Sequence, residues 1–154
     1  MTFKKFAAVF ATAMGVALGS LALATPASAA EVLPSTVVKA ADCSGSAVFK
    51  LTTNSQEHAR VPTIGTSKNC TLRSGNVSSA VTVLQQSLVS CHGKSIAVDG
   101  QFGPATRTAL IQVQSSLGLT ADGIYGPQTY SKMKFKNSIN LACSPGSQIS
   151  NTLW

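Results

Sequence analysis

The sequence has 154 residues, of which only 11% are Asp, Glu, Lys or Arg, against about 25% in an average soluble domain. Twelve basic residues outnumber five acidic ones, which gives a formal net charge of +7. This length allows one domain, or one domain with an extension, and excludes a large catalytic scaffold such as a TIM barrel of roughly 250 residues. The hydrophobic share of 44% excludes a disordered polar chain, and the aromatic share of 6% disfavours a stacking platform for single-stranded nucleic acid.

The first thirty residues have the layout of a secretory signal peptide. Two lysines precede an apolar run over 6–24, and Pro26 is followed by small residues at 27–29. The run is long enough that an uncleaved membrane anchor is the alternative. The proline and the small-residue site favour cleavage, so we predict a signal peptide over 1–29. The mature chain is then secreted, either extracellular or associated with a cell wall, and keeps no stable membrane anchor.

The basic residues of the predicted mature chain are scattered, and the densest group is Lys132, Lys134 and Lys136. Nucleic-acid binding normally needs a basic stripe or patch. The pattern therefore favours an ordinary solvated surface and no nucleic-acid partner. A net charge of about +5 after cleavage is compatible with a weak attraction to an anionic cell wall.

All four cysteines lie in the predicted mature chain. An even number in a short secreted chain predicts two disulfides, with three alternative pairings. No two cysteines have the C-x-x-C spacing, which disfavours a zinc site. The cysteines are Cys43, Cys70, Cys91 and Cys143.

Residues 30–70 are predicted to form an irregular leader, in which 47–51 is the candidate short strand. The segment between the first two cysteines is too short to bury a core of its own. From residue 71 the pattern changes, because Val77, Val81, Leu84 and Leu88 recur at helical spacing. We predict a first helix over 78–90.

One motif, Asp-Gly-x-aromatic-Gly-Pro-x-Thr, occurs twice, over 99–106 and 122–129. In each copy the first glycine permits a positive φ, and the aspartate can accept backbone N–H bonds in the same turn. The second glycine can cap a helix that starts at the proline. Phe102 and Tyr125 are predicted to plug the loop onto the core. The predicted structural loop residues are Asp99, Gly100, Gly103, Asp122, Gly123 and Gly126.

The two motifs predict a second helix over 104–117 and a third that begins at Pro127 and fades near 134–136. If the helices run up, down and up, Cys91 and Cys143 lie at the same end, which favours their pairing and leaves Cys43 for Cys70. The predicted fold is therefore mainly α, a compact three-helix bundle over 71–136. The irregular N-terminal extension is held by a disulfide, and 137–154 form a C-terminal tail.

The ordered set of motifs resembles the peptidoglycan-binding-like domain family. The opening of that family is similar to residues 72–77 and the apolar positions of the first helix, with Leu84-Gln85. Its remaining signature resembles the two loops, with Gln114 and Gly118-Leu119 between them. The resemblance covers 72–134 and implies a compact three-helix module of bacterial cell-wall enzymes that targets peptidoglycan. Two positions depart from the family pattern. Members often carry an aromatic residue where this chain has Val113, and a tryptophan where it has Tyr130.

Few residues in the predicted mature chain can do acid–base chemistry. A zinc hydrolase needs about three protein ligands, and neither His58 nor His92 has a second histidine at helical spacing. Asp99 and Asp122 could be taken for a glycosidase pair, but their identical local surroundings would not separate their pKa values as an acid and a base require. We therefore predict no enzyme, no metal and no cofactor.

The function predicted from the sequence is a secreted, non-catalytic module that binds bacterial peptidoglycan, either the glycan strand or the stem peptide. The alternative is a secreted protein–protein interaction or inhibitory factor of the same fold, with a cell-wall enzyme as its partner and the tail as an anchor. The candidate ligand-binding residues lie at the loop tips and helix starts. They are Gln101, Arg107, Ile124, Tyr125, Gln128 and Tyr130.

Overall fold

A computed structural model of the chain describes residues 40–139 and 141–154. The predicted signal peptide at 1–29 lies outside these residues. Three α-helices and five β-strands follow in the described part. They are β1 (Gly45–Leu51), β2 (His58–Thr63), α1 (Ser79–His92), α2 (Pro104–Ser116), α3 (Pro127–Lys132), β3 (Lys134–Lys136), β4 (Cys143–Pro145) and β5 (Ile149–Leu153).

The prediction of a mainly helical bundle with an irregular extension is wrong. The residues before the helices form an antiparallel hairpin, and the C-terminal residues add to it to give a three-stranded sheet in the order β2-β1-β5. A second antiparallel pair joins β3 to β4. The hairpin was not predicted because β2 contains Pro62, and a proline within a run of residues argues against a strand there. In the structure β2 lies at a sheet edge, where a proline is tolerated.

The first sheet has one buried face and one outer face. Phe49 and Leu51 of β1 are buried, as are Ala59 and Val61 of β2, while Arg60 between the last two is exposed. This is the alternation expected for a sheet with one face on the core. Helix α1 packs against β2 and β3, so the sheet and the helices share one core.

The helix ends are close to their predicted positions. Ser78 caps α1, its side chain accepting a hydrogen bond from the Val81 N–H, and Gly93 ends the helix in the left-handed conformation. Helix α3 is shorter than predicted, because the chain becomes extended at Met133. Phe135 is buried between two exposed lysines, and this period of two belongs to a strand.

Two disulfides cross-link the described residues. Cys43 pairs with Cys70, and Cys91 at the end of α1 pairs with Cys143 in β4. The second is the pairing that the helix order favours. In the part of the chain that the structure describes, no helix has the length and apolar character needed to cross a bilayer.

Candidate functional site

The first Asp-Gly motif forms a tight turn between α1 and α2, called loop 1 here (99–104). Asp99 Oδ1 accepts a hydrogen bond of 2.9 Å from the Gln101 N–H. Gly100 has φ 75°, and an alanine Cβ there would lie 2.9 Å from Thr82 Oγ1. Gly103 takes the N-cap position of α2. The turn thus has the backbone that the motif predicts.

A buried glutamine of α1 holds loop 1. Gln85 Nε2 donates to Asp99 Oδ1 at 2.8 Å, to the Gln101 carbonyl at 3.0 Å and to Thr106 Oγ1 at 3.0 Å. Its Oε1 accepts from the Gly100 N–H at 2.8 Å. One amide group therefore satisfies donors and acceptors from the turn and from the first turn of α2, as a buried polar group must.

The same network recurs at the second motif, called loop 2 here (122–127). Gln114 Nε2 donates to Asp122 Oδ1 at 2.8 Å, to the Ile124 carbonyl at 2.9 Å and to Thr129 Oγ1 at 3.1 Å. Its Oε1 accepts from the Gly123 N–H at 2.9 Å. The Asp122 carboxylate also accepts from the Ile124 N–H. Atom for atom, loop 2 repeats loop 1.

Sequence reasoning gave the two glutamines no structural role. Gln85 lies 14 residues before its aspartate, whereas Gln114 lies 8 residues before Asp122. The repeat of the loops is therefore not matched by a repeat of the glutamine spacing. The available signal was a long polar side chain on the buried side of each helix, and both glutamines are 1% exposed.

Phe102 and Tyr125 plug the two loops onto the core, and both side chains are buried. Tyr125 also exchanges two backbone hydrogen bonds of 2.9 Å with Leu72. Burial raises the pKa of the Tyr125 hydroxyl well above its ordinary value. The structure therefore places Tyr125 in the core, and its ring cannot contact a ligand at the surface as its inclusion among the candidates requires.

Loop 2 and the start of α3 line an open groove of about 370 Å³, called the loop 2 groove. It brings together the predicted ligand-binding residues Ile124 and Gln128, both exposed. The groove is lined by both apolar and polar residues, which come from before, within and after loop 2. Its other lining residues are Gln114, Leu119, Thr120, Asp122, Gly126, Pro127 and Thr129.

The cavity beside the start of α2, of about 380 Å³, is lined by Pro104 and Ala105 but by neither Asp99 nor Gln101 of loop 1. The 23-residue offset between the motifs places Ala105 where loop 2 has Gln128, and Gln101 where it has Ile124. Gln101 is exposed on loop 1 and lies outside the loop 2 groove. The candidates on the two loops thus do not form one site.

Arg107 and Tyr130 lie beside loop 2 but outside its groove. Arg107 Nη2 donates to the Asp122 carbonyl at 3.2 Å, and its side chain lies over Gly123. Tyr130 lines a neighbouring cavity of about 380 Å³ with Lys68, whose Nζ lies 5.5 Å from the tyrosine ring centroid. Burial raises the pKa of Tyr130 to about 12, so its hydroxyl stays neutral at physiological pH.

Asp99 and His92, two groups that could act as catalysts, are both engaged in structural hydrogen bonds. Hydrogen bonds from Gln85 and from the Gln101 N–H lower the pKa of Asp99, so this carboxyl is ionised and acts as a turn acceptor. His92 Nε2 accepts from the Lys134 N–H, and burial lowers the pKa of that imidazole. Among the described residues, no three His, Cys, Asp or Glu side chains cluster as metal ligands.

A family model described as "Putative peptidoglycan binding domain" matches residues 77–133. These residues run from just before α1 through both loops to the end of α3. The match therefore contains the loop 2 groove and both glutamine networks, and it leaves out the first sheet.

Three known proteins illustrate the likeness. The zinc D-Ala-D-Ala carboxypeptidase of Streptomyces albus G is 46% identical over 65 residues, which are 41% of this chain and 26% of that protein. A Burkholderia AP3 phage endolysin is 43% identical over 40% of this chain and 23% of its own, with a TM-score of 0.39. A peptidoglycan-binding protein from Clostridioides difficile, solved with glutamine hydroxamate, is 31% identical over 53% of this chain and 54% of its own, with a TM-score of 0.41. The chain spans about a quarter of the first two and about half of the third.

Proposed function

Residues 77–133 belong to the peptidoglycan-binding domain family, and from this we propose that the protein is a secreted, non-catalytic binder of bacterial peptidoglycan. The ligand enters the loop 2 groove, between Ile124 on the turn and Gln128 on α3. The observation that carries the proposal is that the groove at this turn lies within the matched segment and gathers two exposed candidates on a rigid frame.

The groove has the composition of a small-ligand site. Leu119, Ile124 and Pro127 give an apolar floor, and Thr120 and Gln128 add hydroxyl and amide groups at its edge. Sugar rings and peptide bonds present the same mixture of apolar faces and hydrogen-bonding groups. Because Gln114 fixes the backbone of the turn, little ordering of the loop is needed on binding.

Arg107 is a cation in contact with this turn. One of its nitrogens donates to the Asp122 carbonyl, and a guanidinium has five N–H donors in all. The remaining donors are suited to a carboxylate of a stem peptide that extends past the turn. This leaves the groove for the adjoining sugar or amide groups.

Secretion and the absence of catalysis are further parts of the proposal. Two disulfides are typical of proteins outside the reducing cytoplasm, and the signal-peptide layout over 1–29 agrees with export. The engagement of Asp99 and His92 in backbone hydrogen bonds supports a structural role for both. The segment shared with the zinc D-Ala-D-Ala carboxypeptidase is 26% of that protein, which agrees with a binding module separate from the catalytic part.

Sedimentation of the purified mature protein with insoluble peptidoglycan tests the proposal. The double variant I124Q/Q128A gives loop 2 the residues that loop 1 has, and it removes one apolar and one amide contact. We expect its apparent affinity to fall about tenfold. The matched control is A105Q, which gives loop 1 the amide of loop 2 and is expected to bind like the wild type.

A wild-type protein that stays in the supernatant while a known wall binder pellets would overturn peptidoglycan binding and favour the protein-partner alternative. Equal binding by the wild type and I124Q/Q128A would move the site away from the loop 2 groove. Release of soluble wall fragments by the pure protein would contradict the non-catalytic role.

A further inference from the structure

The outer face of the first sheet gathers basic side chains that are far apart in the sequence. In the register of β1 and β2, Val48 lies opposite Arg60 and Lys50 opposite His58. Their neighbours Phe49 and Ala59 are buried on the other face. Lys136 of β3 lines the same surface. We call Lys50, His58, Arg60, Lys136 and Trp154 the basic sheet face.

Two clefts meet at Arg60 and Lys136. One, of about 330 Å³, lies between the sheet and α1 and includes Gln86 and Ser90. The other, of about 240 Å³, includes His58. Arg60 and Lys136 line both clefts, so an extended ligand that passes from one to the other meets both cations.

An aromatic ring borders the basic sheet face. Trp154 is 58% exposed, and its ring centroid lies 4.1 Å from that of His58. Lys50 Nζ is 5.7 Å from the centroid of the tryptophan ring, and the backbone N–H of Trp154 donates to the Val48 carbonyl. Stacking on His58 and the backbone bond hold the indole in place, with part of its surface open to solvent.

The cations of this face have no acidic partner in the described residues. The one ion pair with an N–O distance within 4.0 Å among the described residues joins Arg73 to Asp42, and neither belongs to this face. The Glu57 carboxylate, beside His58 in sequence, accepts from the Asn137 amide at 2.9 Å. Asp99 and Asp122 are bound in the two loops. The positive charge of the face is therefore available to an external anion.

We infer that the basic sheet face is a second binding site, for a phosphodiester-linked anionic polymer of the cell wall. Phosphate oxygens suit Arg60 and Lys136, which lie where the two clefts join. The sugar or polyol units between phosphates suit the exposed indole. A single exposed indole does not form the run of aromatic rings on which single-stranded nucleic acid stacks. The inference concerns residues outside the family match and does not depend on the loop 2 groove.

Titration of the mature protein with poly(glycerol phosphate) tests this site directly. Trp154 is the single tryptophan of the chain, so intrinsic fluorescence reports on the face itself. We expect a saturable change at low salt that weakens as ionic strength rises, because salt screens these charges. The variant R60Q/K136Q should lower the apparent affinity about tenfold. The charge-matched control K94Q/K132Q removes two lysines elsewhere and should keep the wild-type affinity.

Walls with and without their phosphodiester polymer separate this site from the loop 2 groove. Treatment with hydrofluoric acid strips the polymer and leaves peptidoglycan. We expect R60Q/K136Q to lose affinity for untreated walls and to match the wild type on stripped walls, where I124Q/Q128A is impaired.

The inference is overturned if poly(glycerol phosphate) leaves Trp154 fluorescence unchanged at low salt. It is also overturned if K94Q/K132Q is impaired as much as R60Q/K136Q, since net charge would then explain binding. Equal affinity for duplex DNA of the same charge concentration would mean a general polyanion surface and would reject the specific ligand. Folding of each variant is checked by its circular dichroism spectrum.

Discussion

Loop 1 and loop 2 share a buried frame and differ at the surface. In both, a helix glutamine binds the aspartate, the glycine N–H, a backbone carbonyl and the threonine of the motif. The exposed positions differ. Gln101 on loop 1 corresponds to Ile124 on loop 2, and Ala105 at the start of α2 corresponds to Gln128 at the start of α3. The comparison separates two roles that a repeated motif combines: the repeated residues build the turn, and the variable residues decide what the turn contacts.

The largest expected effect comes from removing the glutamine amides. Q85L and Q114L each remove the side-chain acceptor of a buried glycine N–H and the amide donor to an aspartate, which keeps its backbone partner. We expect each to lower the free energy of unfolding by about 3 kcal/mol. Urea denaturation measures this loss. The exposed Gln112→Leu change is the control, and it should alter stability by less than about 0.5 kcal/mol.

Peptidoglycan binding by the folded fraction of these variants then distinguishes the loops. Q114L should weaken binding, because Gln114 fixes the backbone of the loop 2 groove, whereas Q85L should not. If Q85L alone weakened binding, the ligand site would belong to loop 1.

A smaller effect is expected from the glycines with positive φ. G100A and G123A both force an alanine into the left-handed region, at a cost of about 1–2 kcal/mol. An added Cβ at Gly123 would lie within 3.1 Å of three side-chain atoms of Arg107 and Ile111, against one such atom at Gly100. G123A should therefore lose more stability than G100A, as measured by thermal denaturation.

The Arg107 side chain explains part of that difference. In an R107A background the cost of G123A should fall and that of G100A should stay the same. Unequal costs that persist without Arg107 would assign the difference to Ile111 or to the backbone.

The smallest expected effect is an acid dependence at loop 1. The Gln85 amide and the Gln101 N–H lower the pKa of Asp99 from its ordinary 3.8. A carboxyl whose pKa is lower in the folded state stabilises that state at pH values above the pKa that it has in the unfolded chain. This contribution is lost as pH falls below 3.8 through the folded pKa. The denaturation midpoint of the wild type should therefore fall in this range more steeply than that of D99N, and parallel pH curves would exclude the effect.

The turns and helix starts were predictable from the sequence because their signals are local. Aspartate, glycine and proline fix each turn through residues at most a few positions apart, and Ser78 marks the start of α1 in the same way. The exposed positions of Ile124 and Gln128 could be predicted from their places on the loop and helix start, and ligand binding by them stays a prediction. The burial of Tyr125 could not, because one sequence position does not show whether a tyrosine on a loop points to the core or to solvent.

The sheet was predictable only in part, because one of its pairings is long-range. The strand predicted over 47–51 lies within β1, but Phe49 lies opposite Leu153 of β5, about a hundred residues later, and β5 has too few apolar residues to be recognised alone. The basic sheet face was missed for the same reason, since Lys50, Arg60 and Lys136 meet only after three strands have assembled. The sequence pattern at 132–136 suggested the end of a helix, whereas 134–136 form β3, which pairs with β4.

The bond between Cys91 and Cys143 closes a covalent ring that contains α2, loop 2 and α3. A protease that cuts one peptide bond between Cys91 and Cys143 releases no fragment, because the disulfide still joins the two pieces. The nicked molecule keeps the loop 2 groove and the basic sheet face attached to each other, and two cuts are needed to detach a piece. Limited proteolysis should accordingly give one band on a non-reducing gel and two after reduction. In the proposed role as a secreted wall binder, such a ring would keep both binding surfaces in one molecule after the first cleavage.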